Sequence, residues 1–171
     1  MGEQPKAKKG PLRIRAAHDG DVERIWEIFR EVIKTGDTYV FPPNMSREDA
    51  LANWYGKKFH TYVAEQEGKI VGTYILKDNQ MGLGSHIANG SFMVDPTQFG
   101  LGIGRAMGEH SIPEAKRLGY YAIQFNFVVA SNKGAVKLWK DLGFTVLGTI
   151  PDAFQHQKMG LVDAHIMYSK L

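Results

Sequence analysis

The chain has 171 residues, of which 43% are hydrophobic and 23% charged, with a net charge of +3 and no cysteine. That length suits one domain with a full hydrophobic core, and the missing thiols exclude disulfides, thiolate metal sites and cysteine nucleophiles. No apolar stretch approaches the roughly 20 residues that cross a bilayer, and no secretory leader is recognisable at the start, so a cytoplasmic protein that binds no membrane is expected.

Much of the positive charge lies at the start. Lys6, Lys8 and Lys9 face only Glu3 in "MGEQPKAKKGP", and residues 1–11 read as a flexible basic tail ahead of a single domain over 12–171. The body is then almost neutral, which argues against a nucleic-acid partner. "LRIRAA" (12–17) alternates like a strand with one wet face. Asp19 or Asp21 offers an N-cap for a helix whose Val22, Ile25, Ile28, Phe29, Val32 and Ile33 recur at helical spacing. Gly36 and the pair Pro42-Pro43 end it in an aromatic loop, "TGDTYVFPP". Ser46 can cap a second helix through Ala50, Leu51 and Trp54. Residues 61–78 read as two strands about Glu67-Gly68, and 85–94 as another.

Three glycines at alternate positions, Gly100, Gly102 and Gly104, then lead into a helix over about 102–118 that contains Pro113, where a bend is expected. "YAIQFNFVV" (121–129) is an apolar strand. "SNKGAVKLWKDLG" (131–143) is a helix capped by Ser131 or Asn132, and "FTVLGTI" and "DAHIMYSKL" supply the last two strands. The order β-α-α-β-β-β-α-β-α-β-β predicts an α/β (α+β) domain, a mixed, mostly antiparallel sheet flanked by about four helices. A parallel crossover joins 85–94 to 121–129.

The glycine spacing is neither the dinucleotide G-x-G-x-x-G nor a Walker loop. Glycines lacking Cβ let backbone N–H groups converge on an anion, and a helix N-terminus adds its positive end. A diphosphate fits such a nest, with Gly104, Arg105 and Ala106 giving the first helical amides; a plain tight turn is the other reading. Six histidines make no metal spacing, and no metal is expected. His86 reads as a strand-end structural histidine.

Val94 and Pro96, then Gly102 and Gly104, then Asn132, Ala135, Leu138, Gly143 and Phe144 match a two-part pattern. It is a strand ending V-x-P, a Q/R-x-x-G-x-G/A loop, and N-x-x-A-x-x-L-Y-x-x-x-G-F. On these residues the chain resembles the GNAT superfamily of acyl-CoA-dependent N-acetyltransferases. The resemblance implies acetyl-CoA as co-substrate, held by Met93, Val94, Phe99, Gly100, Gly102, Gly104, Arg105, Ala106, Asn132, Ala135 and Trp139, and it implies a homodimer. Two positions depart from the pattern. Phe99 stands where the family has Gln or Arg, with Gln98 beside it. Trp139 replaces the tyrosine that in many members protonates the departing thiolate, and an indole N–H is no useful acid.

"GLGSHIANGSFMVDP" and "FNF" are similar to the branch with yeast proline-analogue N-acetyltransferases, which implies catalytic and substrate roles for Asn89 and Asn126. Asn126 interrupts an apolar strand and reads as a buried amide in need of partners. Tyr39, Phe41 and Phe154 are candidate walls of the substrate pocket. The expected reaction is direct attack of a small amine, a free amino acid or proline-like analogue, on the thioester. A main-chain N–H of Met93 or its neighbour would polarise the carbonyl. Two rival readings stay open: a protein N-terminal or lysine acetyltransferase, and a non-catalytic acyl-CoA-binding domain.

Overall fold

The computed structural model describes residues 9–171. Most of the expected basic tail therefore lies outside the described residues. Its last part is held in place: Gly10 N–H donates to Glu67 Oε1 (3.0 Å) and the Gly10 carbonyl accepts from Gln66 Nε2 (2.7 Å).

The elements follow in the predicted order: β1 (Leu12–Ala16), α1 (Val22–Ile33), α2 (Arg47–Ala52), β2 (His60–Gln66), β3 (Lys69–Asp78), β4 (Ile87–Val94), α3 (Ile103–Arg117), β5 (Ala122–Val129), α4 (Lys133–Asp141), β6 (Thr145–His156) and β7 (Gly160–Lys170). Seven strands form one sheet in the order β1-β2-β3-β4-β5-β7-β6, antiparallel except for β4 beside β5. A left-handed pair, Glu67 (φ 52°) and Gly68 (φ 74°), turns β2 into β3.

The apolar spacing in α1 buries Ile25, Ile28, Phe29, Val32 and Ile33 against one face of the sheet, together with Ala50 and Trp54. The opposite face carries α3 and α4, whose Ile103, Met107, Ala115 and Trp139 pack on Tyr74, Phe125 and Met167. The sheet is thus sandwiched between two helix layers, as the alternating strands require.

Three boundaries differ from expectation. Before α1 the chain makes a short 3₁₀ turn, Asp19–Asp21, capped by His18, whose ring accepts from Gly20 N–H (3.1 Å); Asp21 is the N-cap residue of α1, as expected, but its side chain accepts from His18 N–H (2.9 Å) and not from the helix. α2 stops at Ala52, yet Trp54 is fully buried and donates its indole N–H to Thr73 Oγ1 (3.0 Å). β6 continues past Pro151, because it is the free edge of the sheet, where a proline costs no ladder bond. A bulge between Ile150 and Phe154, with Asp152 at φ 51°, absorbs the irregularity. Pro113 sits inside α3 without ending it. Among the described residues no helix is long and apolar enough to cross a membrane.

Candidate active site

The site begins where the sheet fails to close. β4 and β5 pair only through Ile87–Asn89 with Ala122–Gln124, and their ladder stops there. A register shift between Phe125 and Val128 bends β5 along its other edge. Aromatic rings pack beside this opening on the face of α3 and α4. Phe92 and Phe125 lie 4.7 and 4.5 Å from the Trp139 ring, and a Cβ on Gly90 would stand 3.1 Å from Phe92 and 3.2 Å from Phe125. Gly90 is therefore small because two rings occupy the space beside it.

A cavity of about 660 Å³ opens at this splay. It runs from the loop after α1 (Thr35, Asp37, Thr38, Tyr39), past Gly90–Val94 and past Phe125, Phe127, Val128 and Val129, to the glycine loop and the first turns of α3 and α4. Gly100 and Gly102 are both left-handed (φ 77° and 79°), with open space where a Cβ would be. Gly102 caps α3 without a side chain, so the amides of Ile103, Gly104 and Arg105 enter the helix with no carbonyl partner from it. Ala106 is the exception to the predicted set. Its N–H closes the first turn onto the Gly102 carbonyl (3.0 Å) and it does not line the cavity.

The other predicted cofactor residues all line the cavity: Met93, Val94, Phe99, Gly100, Gly102, Gly104, Arg105, Asn132, Ala135 and Trp139. Asn132 also caps α4 through Ala135 N–H (3.3 Å). Arg105 is tied to Asp141 (2.9 Å). The corner leading into the glycine loop is fixed by Asp95, which pairs with Arg24 and accepts from Thr97 N–H (2.9 Å) and hydroxyl (2.8 Å). Burial works to raise the Asp95 carboxyl, but the Thr97 donors and the Arg24 guanidinium outweigh it and hold it below the usual carboxylate range.

Of the two main-chain donors expected, Met93 or its neighbour, the geometry selects the neighbour. Successive residues of a strand point their N–H groups to opposite sides. Phe92 N–H leaves β3 and meets Tyr39 Oη (3.0 Å), whereas Asp95 N–H meets Val71 on the β3 side (2.9 Å). Met93 shares the parity of Asp95, so its amide serves the sheet, and it is the neighbour, Phe92, whose amide faces the gap. Tyr39 also donates its hydroxyl to the Phe92 carbonyl. Burial pushes the Tyr39 phenol well above its ordinary value, against the opposing pull of that carbonyl.

The two asparagines stand beside the cavity rather than in its wall. Asn89 and Gln124 share the sheet face of α1 and α2, since the alternate residues Ala88 and Ile123 belong to the opposite core. Asn89 Nδ2 donates across the last paired position to the Gln124 carbonyl (3.0 Å). Asn126 is exposed, not buried: its amide donates to Asn79 Oδ1 (2.7 Å) and accepts from Gln124 Nε2 (2.9 Å). The strand presents this residue to the open face between Phe125 and Phe127, which explains a polar residue amid apolar ones.

Of the aromatic walls, Tyr39 lines the cavity. Phe41 stands behind it, stacked on Tyr39 (6.0 Å) and packed on Phe29 (5.1 Å) in the α1 core. Phe154 backs Phe127, the ring that does line the cavity, at 6.2 Å. His86 lies outside, edge-on to Tyr121 (6.2 Å). Sequence reasoning missed Asp37, Thr38, Ser91, Phe127 and Asn79. Asp37 and Arg105 are the charged residues among those lining the cavity, and an acid in a glycine-containing loop after α1 was the available signal.

The chain matches the family model described as "Acetyltransferase (GNAT) family" over residues 23–144. It is 32% identical over 155 residues to N-acetyltransferase aca1 of Schizosaccharomyces pombe, covering 78% of this chain and 72% of that protein. Among solved structures it is similar to a GCN5-related N-acetyltransferase from Kribbella flavida, with a TM-score of 0.89, 41% identity, and 94% of this chain and 98% of that one covered. It shares its fold with yncA of Salmonella typhimurium, solved with acetyl-CoA as its cofactor, at a TM-score of 0.83 and 24% identity, with 95% of each chain covered. The splayed β4–β5 pair, the glycine loop at α3 and the family match over most of the chain agree: this chain belongs to the GNAT family of acetyltransferases.

Proposed function

We propose that this chain transfers the acetyl group of acetyl-CoA to the nitrogen of a small amine, a free amino acid or proline-like analogue, by direct attack. The observation that carries the reading is the single cavity joining the free amides of α3 to the gap-facing main chain of Phe92 and the polar loop after α1. The residues fit the co-substrate: left-handed Gly100 and Gly102 leave room for a diphosphate at the α3 amides. Bound there, acetyl-CoA supplies an activated acetyl thioester.

The protein's part is positioning and polarisation. Phe92 N–H donates to the acetyl oxygen as charge develops on it. Trp139 is 7% exposed and wedged among Phe92, Phe125 and Phe144, so it shapes the cavity floor and supplies no proton. Asp37, on the loop after α1, attracts the acceptor's ammonium group, which gives one proton to water before the neutral amine attacks. Asn89 and Asn126 border the acceptor end, where their amide network orients the amine.

A small acceptor is favoured over a peptide by the closed loop. Gln157 N–H donates to the Gly36 carbonyl (3.2 Å), a Cβ at Gly36 would run into Gln157, and Tyr39 anchors the loop to β4. The likeness to the fission-yeast N-acetyltransferase supports transfer to a nitrogen, and the proline-like acceptor rests on the segments "GLGSHIANGSFMVDP" and "FNF". A cytoplasmic homodimer is part of the same proposal; the free edge strand β6 and its hairpin present exposed Leu147, Ile150 and Leu161. Turnover of acetyl-CoA with a panel of amines, amino acids and peptides tests all of this. Intersecting initial-rate lines with small amines are expected; turnover of peptides alone, or of nothing, refutes the reading.

A further inference from the structure

We propose that Tyr39 is a catalytic residue, and that its hydroxyl is the second donor to the acetyl carbonyl oxygen, beside Phe92 N–H. The inference rests on the acetyl-transfer reading above. Where β4 loses its neighbour, Phe92 has an N–H and a carbonyl that no strand satisfies. The Tyr39 hydroxyl takes the place of both strand partners: it accepts from the N–H (3.0 Å) and donates to the carbonyl. Its oxygen therefore occupies the position that an acceptor of the Phe92 amide must take.

When an acetyl oxygen takes that amide, the tyrosine loses its role as acceptor but keeps its proton, because burial holds the phenol in its neutral form. The O–H is a free rotor and can turn onto the same oxygen. The stack on Phe41 (6.0 Å), itself packed on Phe29 (5.1 Å), holds the ring by one face, so the hydroxyl gives way by a swing in the ring plane and stays within hydrogen-bond reach of the oxygen that takes its place. Two donors then converge on one atom, the arrangement that stabilises charge developing on a carbonyl. The balance is simple. The amine nitrogen bonds to the acetyl carbon, the carbon–sulfur bond breaks with its electron pair on sulfur, and the amine proton passes to water. Tyr39 donates a hydrogen bond throughout and gives up no proton. The position that Trp139 fills without an acid is thus compensated at the carbonyl end of the bond rather than at sulfur.

The test is Tyr39→Phe, which keeps the ring and its stacking. Turnover should fall about 10²-fold, the usual cost of one such donor, with the acetyl-CoA Kd by calorimetry within about threefold. The second readout is the isotope-edited infrared band of carbonyl-labelled acetyl-CoA bound without acceptor. It should move to higher wavenumber in Tyr39→Phe, and to lower wavenumber when a fluorinated tyrosine, a stronger donor, stands at position 39. A hydroxyl that merely fills the empty gap predicts an unmoved band and unchanged turnover, and that result overturns the inference. Loss of acetyl-CoA binding in Tyr39→Phe also overturns it, since the hydroxyl would then build the site rather than polarise the carbonyl. If the unaltered protein binds no acetyl-CoA, the acetyl-transfer reading itself falls, and this one with it.

Discussion

Gly104→Ala separates the cost of folding from the cost of binding better than any other change in the glycine loop. Gly104 is the second residue of α3, and a Cβ there would lie 3.7 Å from Val94 and 3.8 Å from Leu138, ordinary contact distances. The fold should accept it. Replacing a helical glycine by alanine gains about 0.5–1 kcal/mol, which for a domain of this size is a rise of up to about 4 °C in Tm. The added methyl stands at the cavity wall beside the open amides of Ile103 to Arg105. A hydrogen bond to a charged group is worth about 1.5–3 kcal/mol, so losing one should weaken acetyl-CoA binding about tenfold to a hundredfold. Gly102→Ala is a poorer probe: with φ at 79° an alanine is strained by about 1–2 kcal/mol before any ligand arrives. Calorimetry with acetyl-CoA, paired with a melting curve, reads both effects. A Gly104→Ala protein that melts normally and binds acetyl-CoA as tightly as before would refute the placement of the diphosphate at α3.

Trp139→Phe should change turnover by less than about tenfold, below what a general acid is worth, while losing about 1–3 kcal/mol of stability from a packed wedge; steady-state kinetics and denaturant melts check it. Asn126→Ala, on an exposed residue, should alter stability by less than about 0.5 kcal/mol yet lower kcat/KM for the best small amine about tenfold or more, with acetyl-CoA affinity unchanged. Asp21, beside Arg15, and Asp95 titrate below the ordinary 3.8, and Glu114, hydrogen-bonded by Arg117 and Tyr62, falls to about 2 from 4.5. Each is depressed in the folded state, so its stabilisation is complete above about pH 4.5 and is lost as pH falls toward 2; Glu114→Gln should flatten that acid limb in a Tm-against-pH series. Leu147→Glu places a charge on the exposed β6 edge and tests the proposed homodimer: sedimentation should give a dimer mass for the unaltered protein and a monomer mass for the variant, with the fold retained.

Local patterns carried most of the fold. The spacing of Ile25, Ile28, Phe29 and Val32, the Glu67-Gly68 turn and the Asn132 cap are each fixed by near neighbours in sequence, and all three appear in the structure. The same holds for the glycine loop, whose conformation and cavity place follow from residues within one short segment. What stayed hidden depends on tertiary partners. The burial of Asn126 was misread because an apolar strand can still turn one residue to open solvent, and here Asn79, just past the end of β3, meets it. Phe41 and Phe154 look like pocket walls in sequence, yet each stands one ring behind the wall because the neighbouring aromatic reaches the cavity first. Strand parity decides between Met93 and Phe92, and parity is set only once β3 has chosen its register.

The geometry also explains why a sheet keeps a defect at its centre. An unpaired main-chain N–H and carbonyl facing a cavity cost free energy unless something satisfies them, and extending the β4–β5 ladder beyond Asn89 would satisfy them cheaply. Phe92, Phe125 and Trp139 pack together beside the opening on the face of α3 and α4, and Gly90 provides the space for two of those rings. The amide that results is held open by a side chain that a ligand can displace, not by a strand that it cannot. Tyr39 belongs to a loop after α1, anchored by its stack on Phe41 and by the Gln157–Gly36 bond, so the residue meeting the gap comes from the same segment that carries Asp37 toward the acceptor. In the proposed reaction one short loop would thereby serve the carbonyl end with its hydroxyl and the amine end with its carboxylate. On that proposal, positioning of the two reactants would be coupled through four residues of chain, Gly36 to Tyr39, rather than through the whole domain.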